Sequence, residues 1–94
     1  MTDITLRDEL ADLAPEAVIL DNPAYDNAII GITYEGGLIY DYDLMVMELA
    51  KDDGMEEDEA AEFIDYNTIR AIPYMPDPKP VIQQIGIYSP VLYR

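Results

Sequence analysis

The sequence contains no cysteine and no histidine. Disulfides, thiolate zinc sites, cysteine nucleophiles and imidazole acid–base catalysis are therefore excluded. Cations are scarce too: 5 Lys and Arg stand against 20 Asp and Glu, a formal net charge of −15. With no cluster of cations to neutralise phosphates, direct nucleic-acid binding is not expected. No apolar run approaches the roughly 20 residues of a membrane span. The start, Met1-Thr2-Asp3-Ile4, has neither the basic residues nor the apolar stretch of a signal peptide, so a cytoplasmic location is expected. Phosphate loops and nucleophile elbows are missing as well. No catalytic residue and no cofactor is assigned, and a non-enzymatic role is expected.

What is present is enough for a core. Hydrophobic residues make up 50% of the 94, too many for an acidic disordered tail. The length suits one domain, residues 1–94, burying about two-thirds of its unfolded surface. Leu6, Leu10 and Leu13 recur at helical spacing, which predicts a helix over 3–14 stopped by Pro15. Ala17 to Leu20 reads as a short buried strand. Residues 28–34 and 38–40 flank Glu35-Gly36-Gly37 as a hairpin. Two helices follow, one over 43–52 closed by Gly54 and one from Glu56 that ends before Pro73. The second pairs Met55 with Ala60 as a staple and Glu56 with Glu59 as a capping box. Its inner face is expected to hold Ala60, Phe63, Ile64 and Asn67, opposite Asp58, Glu62 and Asp65. Residues 73–80 form a Pro-rich connector, and 81–88 a last strand with Val81, Ile85 and Ile87 on one side. The expected class is α+β, a small mainly antiparallel sheet with two acidic helices on one face and a short N-terminal helix.

Acidity is concentrated in those two helices. From Asp41 to Asp65 there are eleven carboxylates, opposed only by Lys51. Duplex DNA carries one charge per about 1.7 Å, so about 17 Å of duplex, the length of either helix, presents about ten charges. The helix pair approaches that density, and such a surface is steered to the basic groove of a nucleic-acid-binding protein. An acidic helix face is more commonly just a solvated face, and Asp or Glu in a first turn favours the helix dipole. The overall imbalance argues for more, because solubility needs a net charge of only about 2–8 in magnitude.

Other residues carry narrower readings. Tyr42, Met45, Val46 and Leu49 make a core stripe, leaving Leu44 and Met47 on the other side. These two are either covered by the C-terminal segment or exposed as an apolar anchor in an acidic rim. Arg70 is expected to bond Asp41 or Asp43 bidentately and set the angle between the helices, with either aspartate equally able to act as N-cap. Asp41-Tyr42-Asp43 and Asp52-Asp53-Gly54 lack the spacing of a calcium loop, so no metal site is assigned.

Three stretches together resemble a family of short acidic proteins encoded by bacteriophages and prophages. They are Gly37-Leu38-Ile39-Tyr40-Asp41-Tyr42-Asp43, Gly54-Met55-Glu56-Glu57-Asp58-Glu59-Ala60, and the run from Phe63 through Tyr66-Asn67-Thr68-Ile69-Arg70 to Tyr74. The likeness covers roughly residues 28–75 and carries over no catalytic residue. It implies a phage product acting in the bacterial host cytoplasm, where small acidic proteins include anti-CRISPR proteins and restriction inhibitors. The expected function is an anti-CRISPR-like DNA mimic that blocks a Cas effector or restriction enzyme, with Asp52, Asp53, Glu57, Asp58, Glu62 and Asp65 as contacts and Leu44 and Met47 as anchors. The alternative is a phage accessory or scaffold module that binds protein without mimicry and forms a homodimer through the last strand.

Overall fold

The computed structural model describes residues 6–84. Along the chain come α1 (Leu6–Leu13), a 3-10 helix (Pro23–Ala28), β1 (Ile29–Ile32), β2 (Leu38–Asp41), α2 (Tyr42–Asp53) and α3 (Glu57–Phe63). A π-helical stretch (Ile64–Thr68), a second 3-10 helix (Ile69–Tyr74) and β3 (Val81–Gln83) complete it. The class is α+β.

Turn chemistry builds the hairpin. Thr33 N–H donates to Gly37 O at 2.6 Å, Gly36 N–H to Thr33 O at 2.9 Å, and Gly37 N–H to the Thr33 hydroxyl at 2.8 Å. A Cβ on Gly37 would stand 2.8 Å from the Lys79 carbonyl, so only glycine lets the 75–80 connector lie against the turn. That approach delivers β3 to the free side of β2. The strand order is β1-β2-β3, with β1 antiparallel and β3 parallel to β2. The sheet is thus mixed: a tight hairpin reverses direction, whereas the long helical crossover from β2 to β3 restores it.

β2 is the centre of the molecule. Leu38 and Tyr40 are fully buried and meet Met45, Leu49 and Ile64 from the helices. Asp41 caps α2 by accepting from Leu44 N–H at 3.2 Å, and Gly54 ends it with φ 67°, the left-handed C′ geometry. Glu56 N–H donates to Glu59 Oε1 at 3.1 Å, half of a capping box that starts α3.

Several expectations are corrected. Ala17 to Leu20 is not a strand. Its last residue is held by side chains, with Leu20 N–H donating to the Tyr40 hydroxyl at 3.0 Å and Arg7 Nη2 donating to Leu20 O at 3.1 Å. Side-chain partners of this kind let buried backbone avoid the sheet ladder. Leu13, placed on the core face, is 69% exposed, because α1 ends there and only Leu10 points inward. Asn67 and Phe63 are exposed, and Thr68 takes the inner position instead. The π stretch accounts for the exchange of Asn67 for Thr68: Ile69 N–H reaches Ile64 O, five residues back, and shifts the helical period there, whereas Phe63 lies ahead of it on the outer side of α3. Pro73 does not stop the chain's helical run but sits inside the second 3-10 helix, closed by Met75 N–H to Ile72 O at 3.0 Å. In β3, Val81 faces outward and Ile82 packs on the core. Ile85, Ile87 and the tail lie outside the described residues.

Candidate functional site

α2 and α3 meet through a hinge made by Gly54 and Met55. The angle between them is held by Tyr42, whose hydroxyl donates to Asp65 Oδ1 at 2.9 Å. Burial, that bond, and the charges of Asp65 and Asp43 push the Tyr42 phenol up to about 12. Arg70 was expected to do this work on Asp41 or Asp43. It does not. Its guanidinium lies 4.8 Å over the Tyr66 ring instead. Asp41 is the N-cap, and Asp43 is exposed beside it.

The other cations are also directed away from the helix seam. Arg7 grips Asp26 bidentately at 2.7 and 3.0 Å, Lys51 lies 3.7 Å from Glu48, and Lys79 lies 2.8 Å from Asp77. Asp43, Asp52, Asp53, Glu57, Asp58 and Glu62 are exposed and make no hydrogen bond or ion pair among the described residues. Five of them are among the six acidic contacts read from sequence. The sixth, Asp65, is occupied by Tyr42.

The structure does not gather all of these on one surface. Asp43, Glu57 and Asp58 rim a depression of about 340 Å³ over the α2–α3 seam, floored by Val46 and Ala61, with Met47 beside them. Met47 is 53% exposed. Leu44 is instead half-buried against the core, so it is no exposed anchor. The segment expected to cover this pair, residues 85–94, lies outside the described residues. Asp52 turns to the far flank of α2, into a depression shared with Pro23, Asn27, Glu48 and Lys51. Glu62 and Asp65 face a third, open depression of about 660 Å³ with Met55, Phe63, Tyr66 and Arg70.

That third surface was missed. Met55, Glu59, Phe63, Tyr66 and Arg70 follow a helical stripe, and Phe63 and Tyr66 are 42% and 68% exposed. The sequence signal was an aromatic pair three apart on an otherwise acidic helix, of which Phe63 was placed on the inner face. Among the described residues no group of acidic side chains is arranged to hold a metal ion, and no helix is long and apolar enough to cross a membrane. Compared with protein-family models, with curated proteins and with solved structures, the chain has no match.

Proposed function

We propose that this chain is a stoichiometric, non-enzymatic inhibitor that occupies the DNA-binding groove of a basic bacterial defence protein. A single observation carries the reading. Among the described residues, six exposed carboxylates on α2, its C-terminal end and α3 make no hydrogen bond or ion pair, while three of the four cations are paired with other acids. Uncompensated charge of this density opposes folding through self-repulsion, and a basic groove relieves it. Asp43, Glu57 and Asp58 form the centre of the contact, Met47 adds an apolar point, and Glu62 extends the row along α3. Asp52 and Asp53 meet the partner only if it wraps the end of α2. The likeness to short acidic phage proteins supplies the context, and a Cas effector or a restriction enzyme is the target class it favours.

The test is paired capture with the intact chain and with its Glu57→Gln/Asp58→Asn/Glu62→Gln form, from lysate of a bacterium carrying CRISPR and restriction systems. A nucleic-acid-binding protein held by the first, displaced by duplex DNA and lost with the second supports mimicry. Equal capture by both forms defeats it. The second reading, a scaffold that dimerises by strand addition, draws on the position of β3 at the sheet edge. A sizing column shows which applies, since such a dimer elutes at twice the 10.6 kDa chain mass.

A further inference from the structure

α3, the π stretch and the second 3-10 helix follow one another without a break, so Glu57–Tyr74 is one helical run. Ala60, Ile64 and Thr68 are buried and fasten its inner side to the core. The outer side carries the Met55–Arg70 stripe, an open depression of about 660 Å³. Its floor is apolar: Met55 is half-buried, and the Phe63 and Tyr66 rings remain largely in solvent. Apolar surface gathered in this way commonly marks an interaction site. Tyr, Phe, Met and Arg are also the residue types enriched at the centre of protein interfaces.

Charge around the stripe decides what fits it. Arg70 lies over the Tyr66 ring at 4.8 Å and makes no ion pair among the described residues. That stack holds the ring in place before any partner arrives, which lowers the ordering cost of binding. Glu59, Glu62 and Asp65 edge the floor. Glu59 accepts from Glu56 N–H through one oxygen and Asp65 accepts from the Tyr42 hydroxyl through one of its own, so each keeps a second. With three carboxylates against one cation, nucleic acid and anionic lipid are repelled, and a second copy would set the same carboxylates against themselves. A segment with cations beside its apolar residues is attracted. The stripe runs along a helix and offers no free strand edge. Its occupant must therefore satisfy its own backbone hydrogen bonds, as an α-helix does.

We propose that the Met55–Phe63–Tyr66–Arg70 stripe is the docking site for one amphipathic, basic helix of the protein partner. Apolar side chains of that helix seat between Met55, Phe63 and Tyr66, and lysines or arginines along its flanks meet Glu59, Glu62 and the free oxygen of Asp65. The inference rests on the reading that the partner is basic, and it adds an apolar anchorage to that reading. The acidic seam steers the partner in, and the stripe retains it. Exposed charge is screened over about 8 Å at physiological ionic strength, whereas apolar burial is not. Tyr and Arg are among the residues that most often dominate interface energetics.

The experiment uses the full chain with labelled methionine methyls and tyrosine rings, in which Met55 and Tyr66 report the stripe and Met47 reports the seam. The probe is a helical peptide of about 14 residues with leucines on one face and lysines on its flanks. One control peptide has its lysines replaced by glutamate, the other its leucines replaced by serine. The expected result is saturable shifts at Met55 and Tyr66 with the first peptide, and binding about tenfold weaker or worse for each control. Tyr66→Ser weakens the first peptide about tenfold, and because Tyr66 is 68% exposed the fold is kept. Asp43→Asn/Glu57→Gln/Asp58→Asn leaves the Met55 and Tyr66 response intact. Since no defence protein is present, failure of the capture experiment and failure of this one are separate results. Equal binding of the serine control, shifts centred on Met47, or unchanged affinity in Tyr66→Ser would each overturn the assignment. So would contacts of the Val91 or Leu92 methyls with Tyr66 in the free chain, or a dimer that Tyr66→Ser abolishes, since each names a different occupant.

Discussion

The region around α1 and the first 3-10 helix, and the region of α2 and α3, use the same acidic residues in opposite ways. In the first, Asp26 is clamped by Arg7, which also reaches Leu20 O, and Asn22 caps the 3-10 helix through Ala24 N–H at 3.0 Å. Polar side chains there substitute for the missing strand ladder. In the second, Asp43, Glu57, Asp58 and Glu62 hold nothing among the described residues. The chain is therefore able to place a cation on a carboxylate where the fold needs one, and it leaves the helix seam uncompensated. Folding requirements do not account for that difference, which is the reason a basic partner is proposed.

The contrast can be broken from its structural side first. Arg7→Met removes a bidentate pair and the donor to Leu20 O, with Asp26 left 18% exposed at its side chain. The Arg7 side chain is 40% exposed, so solvent screening limits the loss to about 1–2 kcal/mol in denaturant unfolding. A loss near zero would erase the distinction between the two regions. Tyr25→Phe has the opposite sign. Deleting an unpaired buried hydroxyl raises stability by about 1 kcal/mol, or about 4–8 °C in melting temperature for a chain of this size.

Neutralising the seam with Asp43→Asn/Glu57→Gln/Asp58→Asn/Glu62→Gln changes stability by no more than about 0.5 kcal/mol, toward greater stability at low salt. A destabilisation well beyond that would make these carboxylates structural. A separate effect is on pH dependence. The folded-state Tyr42 phenol ionises near about 12, above the ordinary value of about 10, so the fold favours its neutral form. This contribution is fully present below about pH 10 and is lost as pH climbs toward about 12. Asp65→Asn should lower the pH at which Tyr42 ionises, so that ultraviolet absorbance of phenolate appears at lower pH. No change would mean that the 2.9 Å bond to Asp65 does not set it.

The parts of the fold written in local chemistry were legible. Asp41 and Gly54 bracket α2, Glu56 and Glu59 start α3, and Gly36-Gly37 makes the hairpin turn, each through contacts a few residues apart. The parts that depend on distant partners were not. Arg7 meets Asp26 across 19 positions, and nothing in a one-dimensional pattern joins them. The first 3-10 helix has no counterpart in the elements expected from sequence, although Asn22 followed by Pro23 is itself a cap and first-turn signal. Thr68 replaced Asn67 in the interior because one π turn shifts the helical period, and periodicity arguments assume that the period stays constant. The exposed carboxylates of α2 and α3 were identifiable by composition. Their division among three surfaces needed the folded chain.

The most direct test of the central claim is duplex-DNA competition against the partner captured by the intact chain, repeated with the Glu57→Gln/Asp58→Asn/Glu62→Gln form. The account predicts a basic nucleic-acid-binding protein that DNA displaces and that the neutralised form does not retain. A partner held equally by both forms, indifferent to DNA and to salt, would contradict it.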